Sequence, residues 1–526
     1  MWIASGVDCA LIGLRPMNPT RFSSLGALLA LLALPCLAAL ELAPPFTDHA
    51  VLQRDVAVPV WGWSDKPGAT VTVSFGGQTK ETRVNASGLW RADLDAMPAN
   101  ATGSDLLVTE DANTVTYHDV VVGEVWLASG QSNMEWALGS SAKSHEEEKA
   151  RPANPLIRHL RVDHVGADLP VGRVKTSGWL SAAPDTIGKF SGVGYFFAQS
   201  VSEKLKVPVG IINASWGGTA IESWMPEPVL RTTRGWPALD KRWQEAMKTW
   251  PRKYADQPGL EAAWQKAQEE LRTKGTPITM PWPRPPMGPG SGFAPARLYN
   301  GMVAPFAPYA LRGALWYQGE SNVGQHRAYT ELLPAMIQSW RAAWPLGDFP
   351  FLVVQLPNYT DNGKATGRAW AELREAQESA LHVPGAAVAV IIDGAEPDNL
   401  HPVDKRPAGE RLALIALNQI HDQRNVVWSG PVVQAVSREG AALRVRFSSA
   451  DGLKSTTPEI AGFEIAGADR VFHPARAKID GTSVLVSSAD VAEPVAVRHA
   501  FVNAPAVSLF NAAGLPAAPF RSDDWN

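Results

Sequence analysis

Apolar and polar positions alternate with a period of two through VAVPVWGWSD, ATVTVSFGG, TKETRVNASGLWRADL and SDLLVTEDANTVTYHDVVVGEVWLAS, with breaks at KPGA, GG and SG. Alternation places one face of a strand in a core and the other in water, and the breaks reverse the chain. The stretch therefore predicts a small antiparallel β domain over about 40–118. Farther on the pattern changes. VPVGIINAS (207–215), LRGALWYQ (311–318), FPFLVVQLP (349–357) and AAVAVIID (386–393) are nearly unbroken apolar runs. Between them lie helical-period segments such as YTELLPAMIQSWRAAW and RAWAELREAQESALH. Strands apolar on both faces belong to a parallel sheet covered by helices on both sides. The prediction is thus an α/β doubly wound domain over about 119–425, starting with the VWLAS strand.

Two further regions depart from that alternation. Residues 226–295 hold a Trp- and Lys-rich helical stretch followed by PWPRPPMGPGSG, which reads as an insertion over the sheet edge. From about 426 to 526 short alternating strands return, with turns at REG, ADG and IDG, predicting a second β domain or the completion of the first. No period of 20 to 50 residues repeats along the chain.

The apolar run LGALLALLALPCLAAL (25–40) follows Arg21, contains Pro35 and precedes ELAPPF, which predicts a secretory signal peptide over 1–39 rather than a membrane span. Met17 is an alternative start, and cleavage is expected near Ala38 or Ala39. Both cysteines, Cys9 and Cys36, fall in this leader, so the mature chain would carry no thiol. A lipoprotein anchor at Cys36 competes, but ALPC matches such a site poorly. The expected location is secreted or periplasmic. A net charge of -4 with 19% charged residues excludes the basic field that nucleic acid would require. The 526 residues suggest two or three domains. The chain has 20 Trp against 8 Tyr; most belong in a core, yet flat indoles also suit the C–H faces of sugars.

In open α/β sheets ligands bind beyond the carboxyl ends of the strands. Four such ends carry polar or glycine-rich sequence here: SGQSNME, ASWGGTAIESW, YQGESN and DGAEPDNLHP. Ser132 is the nucleophile candidate, and a serine nucleophile needs a base that is itself oriented by a third group. Of the 11 histidines only His401 has an acid three residues before it, Asp398 in DNLH. The order Ser, Asp, His comes without the G-x-S-x-G elbow of other esterases. Donors for an oxyanion are available from the backbone of Gly217 or Gly218 in SWGGT and from the side chain of Gln318 in YQGESN. No H-x-x-x-H or similar metal-ligand cluster appears, and no cofactor is expected.

In order and spacing, GEVWLASGQSNMEW, SWGGTAIESW, LYNGMVAPF, WYQGESN and DNLHPVDKRPAGERLAL resemble the sialate O-acetylesterase-like group of SGNH (GDSL-type) hydrolases. VLQRDVAVPVWGW and GFEIAGADRVFHPA through GLPAAPFRSD extend the resemblance over nearly all of the mature chain. It implies a flavodoxin-like α/β/α hydrolase domain with a parallel sheet and associated β-rich, sandwich-like domains, cleaving acetyl esters from sugars without a metal. Carried over, Ser132 is the nucleophile, His401 the base and Asp398 its partner. The Ser132 N–H, a glycine N–H from Gly217 or Gly218, and Gln318 form the oxyanion hole. Many relatives have G-x-N-D where this chain has QGESN, so Asn322 competes with Gln318. Glu320 either binds substrate or braces its loop, and Gln131 and Trp136 are further substrate contacts. Asp393, a second acid near His401, reads as a structural hydrogen-bonding group.

A neutral His401 is needed as base, so activity is expected to fall below about pH 6.5 if its pKa is unperturbed. The substrate expected is an O-acetylated carbohydrate, with a preference for hemicellulose of the xylan or xyloglucan type. A sialate 9-O-acetylesterase is the alternative, which an arginine facing Ser132, Arg297 among the candidates, would favour. An inactive glycan-binding protein on a hydrolase scaffold is the alternative of another class.

Overall fold

The computed structural model describes residues 40–273, 283, 286–288 and 291–525. The signal peptide, the alternative start and the Cys36 anchor therefore lie outside the described residues. So does part of the Pro-rich loop of the insertion.

The spine of the molecule is one 18-residue strand, β1 (Asn113–Gly130). Its first half carries the alternating pattern and pairs antiparallel with the Asn100–Glu110 strand. Its second half, buried throughout from Val120 to Gly130, lies between parallel neighbours. The switch from period two to an unbroken apolar run happens within a single strand, so the expected domain boundary near 118 falls inside it. N-terminal hairpins and central strands accordingly form one 11-stranded sheet.

The central part of that sheet contains β2 (Asn154–Val162), β3 (Thr176–Ala182), β4 (Val209–Ser215), β5 (Gly313–Tyr317), β6 (Phe351–Val354) and β7 (Ala386–Ala389). Their order is β3-β2-β4-β1-β5-β6-β7. All pairs are parallel except β2 with β3. The sheet is thus mixed, not wholly parallel as expected. A short connection from β2 returns the chain as an antiparallel edge strand, and the N-terminal hairpins add more antiparallel pairs.

Helices follow from amphipathic stripes. After the one-turn α1 (Ser132–Glu135) and an eight-residue helix over Ala142–Lys149 comes α2 (Gly192–Leu205), whose N-cap Ser191 accepts from the Gly194 N–H. The insertion forms the 38-residue α3 (Trp236–Thr273). In α4 (His326–Ala343) the buried Leu332, Leu333, Met336, Ile337 and Trp340 recur at helical spacing. It packs on α5 (Ala369–Gln377), while α6 (Arg406–Ile415) packs on α2 and on the sheet. Among the described residues no helix is long and apolar enough to cross a membrane.

One hydrophobic core runs from the N-terminal strands through α6. The strands from Val432 onward build their own core from Leu443, Val445, Ile465, Val484, Val486 and Val497. This region reaches back to the central domain through buried Asn503, which accepts from the Trp370 N–H at 2.9 Å and, through its carbonyl, from the Tyr359 N–H at 3.1 Å. Arg521 adds a two-point ion pair to Glu375 at 2.7 and 2.9 Å.

Candidate active site

At the carboxyl end of β1 the chain makes a turn that only glycine suits. Gly130 has φ +136°, and a Cβ there would lie 2.1 Å from the Tyr317 carbonyl oxygen. The Gln131 N–H then donates to that same carbonyl, Trp216 N–H donates to the Gly130 carbonyl, and α1 starts at Ser132. The serine is thereby lifted from a buried strand onto the edge of a cleft. Ser132 Oγ lies 2.8 Å from His401 Nε2. His401 comes from the loop after β7, where its N–H donates to Asn399 Oδ1 at 3.0 Å and its ring stacks on Trp136 at 5.1 Å and 21°.

The two acids near His401 are placed differently. Asp398 is exposed and accepts from the Thr360 hydroxyl at 2.9 Å; no hydrogen bond or ion pair joins it to His401 among the described residues. Asp393 holds Arg411 through both carboxylate oxygens, at 2.5 and 2.8 Å. That is the structural hydrogen-bonding role expected of it.

Asn133, which the motif reading passed over, ties the segments of the candidate site together. Its amide donates to Glu320 at 2.5 Å and to the Leu400 carbonyl at 3.2 Å, and its carbonyl accepts from Lys405 Nζ at 2.6 Å. The serine turn, the YQGESN loop and the histidine loop thus share one side chain. Lys405 is buried, its amine 5.1 Å from the centre of the Trp136 ring. Burial lowers its pKa to about 7 against the pull of Glu320. Desolvation and the neighbouring Lys405 charge hold His401 below the usual histidine value. Burial raises Glu320, whose Oε2 has no partner among the described residues. Nothing in the local sequence marks Lys405 as part of the site, because it lies four residues past His401 at the foot of a helix.

Backbone and side-chain donors sort themselves by what they already bond. The Gly217 N–H donates to Glu135 at 2.7 Å. Glu135 also pairs with His164 at 2.7 Å, and His164 stacks on Trp216 at 4.3 Å. The N–H groups of Ser132 and Gly218 have no protein acceptor among the described residues. Gln318 is fully buried, and its amide donates to Gln131, the Thr219 carbonyl and Asn322. Asn322 is buried as well, accepting from the Ile221 N–H and donating to Glu222. Both residues support Gln131. Its Oε1 accepts from Gln318 and from the Gly319 and Ser321 N–H groups, which fixes the amide orientation by backbone donors and leaves Nε2 without a protein acceptor among the described residues.

Around Ser132 and His401 lies a cavity of about 1010 Å³, also lined by Gln131, Gly217, Gly218 and Glu320. Trp216, Phe293, Tyr359 and Trp370 form its aromatic walls. Trp136 packs behind His401, and Gln318 and Asn322 lie beneath the floor. Arg297 is ion-paired with Asp168 and does not line the cavity.

Comparison with known proteins places the chain in a family. A family model described as "Carbohydrate esterase, sialic acid-specific acetylesterase" matches residues 122–256 and 261–417. The chain is 28% identical over 429 residues to the sialate O-acetylesterase of Mus musculus, covering 74% of this chain and 75% of that protein. With the Homo sapiens sialate O-acetylesterase it shares 27% over 427 residues, covering 74% and 72%. A crystal structure of a carbohydrate acetylesterase from Xanthomonas citri superposes with a TM-score of 0.78 at 35% identity, covering 93% of this chain and all of that one. A serine turn against a histidine loop, inside five ordered motifs and matched over more than half its length, identifies the chain as a carboxylic ester hydrolase belonging to the sialic acid-specific acetylesterase family of carbohydrate esterases.

Proposed function

We propose that the protein is an SGNH-type carbohydrate O-acetylesterase with Ser132 as nucleophile and His401 as base. The observation that carries the reading is the 2.8 Å contact between Ser132 Oγ and His401 Nε2 at the mouth of an aromatic cavity. Strand order supports the fold assignment: numbered along the chain, the parallel strands β4, β1, β5, β6 and β7 run 2-1-3-4-5 once β2 and β3 are set aside as an added pair, the flavodoxin-like order.

His401 takes the Ser132 proton as the oxygen attacks the acetyl carbonyl, and returns it to the sugar oxygen as the acetyl-enzyme forms. Water then repeats the sequence and releases acetate. The oxyanion is received by the free N–H groups of Ser132 and Gly218 and by Gln131 Nε2, with Gln318 and Asn322 holding Gln131 in place. Glu320 braces the loop through Asn133. The Trp136 stack holds the His401 ring, and Asp398, three residues before it, would serve as orienting acid only after leaving the Thr360 hydroxyl that holds its carboxylate here.

The cavity favours a neutral acetylated glycan. Among the described residues no arginine or lysine lines it, and its charged side chains are the acids Glu320 and Asp361. A sialate carboxylate there would meet like charge, whereas xylan- or xyloglucan-type sugars would find aromatic faces. The sialate alternative rests on the names of the relatives. The apolar leader read in the sequence makes the protein an exported one.

Acetate release from acetylated xylan, acetylated xyloglucan and 9-O-acetyl sialic acid, measured side by side for the wild type and Ser132→Ala, tests the reading. We expect release from a neutral glycan and a loss on the order of 10⁶-fold in the mutant. Faster release from the sialate would reverse the substrate assignment.

A further inference from the structure

The insertion helix α3 borders a row of cavities that begins at Ser132. The catalytic cavity shares Ala220, Met287 and Phe293 with a second cavity of about 270 Å³. That one in turn shares Glu222, Leu239, Arg242 and Gln325 with a third of about 400 Å³. The three adjoin in a row that leads from Ser132 to α3, each sharing wall residues with the next. The catalytic cavity alone already reaches the upper end of the volume range of small-molecule sites. Its continuation changes in character. Half-buried Trp243 and the exposed Arg242, both on α3, line the second cavity. Among the described residues Arg242 has one loose ion pair, 3.9 Å from Glu222.

From this row of adjoining cavities we infer that the space along α3 binds the sugar units that follow the acetylated one in an oligosaccharide chain, with Trp243 as a stacking platform and Arg242 as a donor to sugar hydroxyls. The inference rests on the esterase reading. A pyranose presents an apolar C–H face and a rim of hydroxyls, and an indole beside a guanidinium answers both. The enzyme would then act on acetylated chains in preference to single acetylated sugars, because each added unit contacts a wall that a monosaccharide never reaches.

Product-like inhibition tests this across several sugar chemistries at once. Unacetylated xylo-, cello-, manno- and α2,8-linked sialo-oligosaccharides of one to six units are titrated against 4-nitrophenyl acetate hydrolysis by the full-length protein. We expect Ki in at least one series to fall about tenfold between one and four units, the factor that 1.4 kcal/mol corresponds to. In Trp243→Ala the gain with length, taken as a ratio within that variant, should shrink below about twofold, and Trp243→Phe should keep most of it. Arg242→Ala should reduce the gain by an independent route. A Ki that does not change with length in any series, or a gain that Trp243→Ala leaves intact while its melting temperature is unchanged, overturns the inference. Were 4-nitrophenyl acetate not hydrolysed at all, the esterase reading would fail instead, and calorimetric titration with the same series would still read the space along α3.

Discussion

His401, the proposed base, lies beside a buried amine that bears on its pH range. Desolvation and the Lys405 charge both disfavour imidazolium, so the base stays neutral at lower pH than an ordinary histidine. The acidic limb of kcat/KM should accordingly lie below about pH 6.5. Burial lowers the pKa of Lys405 to about 7, so below that pH its charge opposes protonation of His401. Replacing it with methionine removes that repulsion and should move the limb upward, while an unmoved limb would separate the two groups. At the oxyanion end the discriminating side chain is Gln131. Gln131→Glu keeps the acceptor that the Gly319 and Ser321 N–H groups need and replaces the free Nε2 donor. Its kcat should fall roughly 10²- to 10³-fold with little change in melting temperature. Full activity would return the role to another donor.

Between strand and helix, the decisive element is the turn at Gly130. A side chain there meets both an unfavourable φ and the Tyr317 carbonyl, so Gly130→Ala should cost at least about 1–3 kcal/mol of stability and displace Ser132 with it. Denaturant unfolding together with esterase rate checks this; loss of rate without loss of stability would mean that the turn matters only for geometry. The same element shows how a motif can be legible while its bonding is not. SGQSNME reads as a polar strand end, yet its polar residues do four different things. Gln131 faces the cavity, Ser132 meets the base, Asn133 joins three loops and Glu135 takes the Gly217 N–H.

Across the whole molecule, the C-terminal β region supports one wall of the active-site cavity. Tyr359 and Trp370 line that cavity, and both backbone N–H groups end on Asn503, more than 130 residues away. Asn503→Ala removes the side-chain acceptor of the Trp370 N–H and the donor to the Lys364 carbonyl, while the Tyr359 N–H keeps the backbone carbonyl. Stability should fall by about 1–3 kcal/mol, the cost of leaving buried partners unsatisfied. KM should rise for a glycan more than for 4-nitrophenyl acetate, which needs less of the wall. Equal effects on both esters would confine Asn503 to a purely structural part. At the other end, the shared core and the uninterrupted β1 make the N-terminal strands inseparable from the catalytic sheet.

Local pattern determined a good deal by itself. Apolar runs specified the buried strands, because a strand covered on both faces must be apolar at each position, and glycine-polar clusters at their ends marked where chemistry would gather. Motif order pointed to Ser132 and His401 although they stand 269 positions apart. What tertiary structure decided were the quantities that depend on which groups already have partners. Gln318 and Gln131 are both amides beside glycine at strand ends, and only the buried network spends one and leaves the other free. Gly217 and Gly218 are adjacent and chemically alike, and only the Glu135 carboxylate distinguishes their N–H groups. Asp398 precedes His401 by three residues, yet Thr360, from a distant loop, holds its carboxylate. Hydrogen bonds saturate and burial is collective, so neither can be read from a residue's neighbours in the chain.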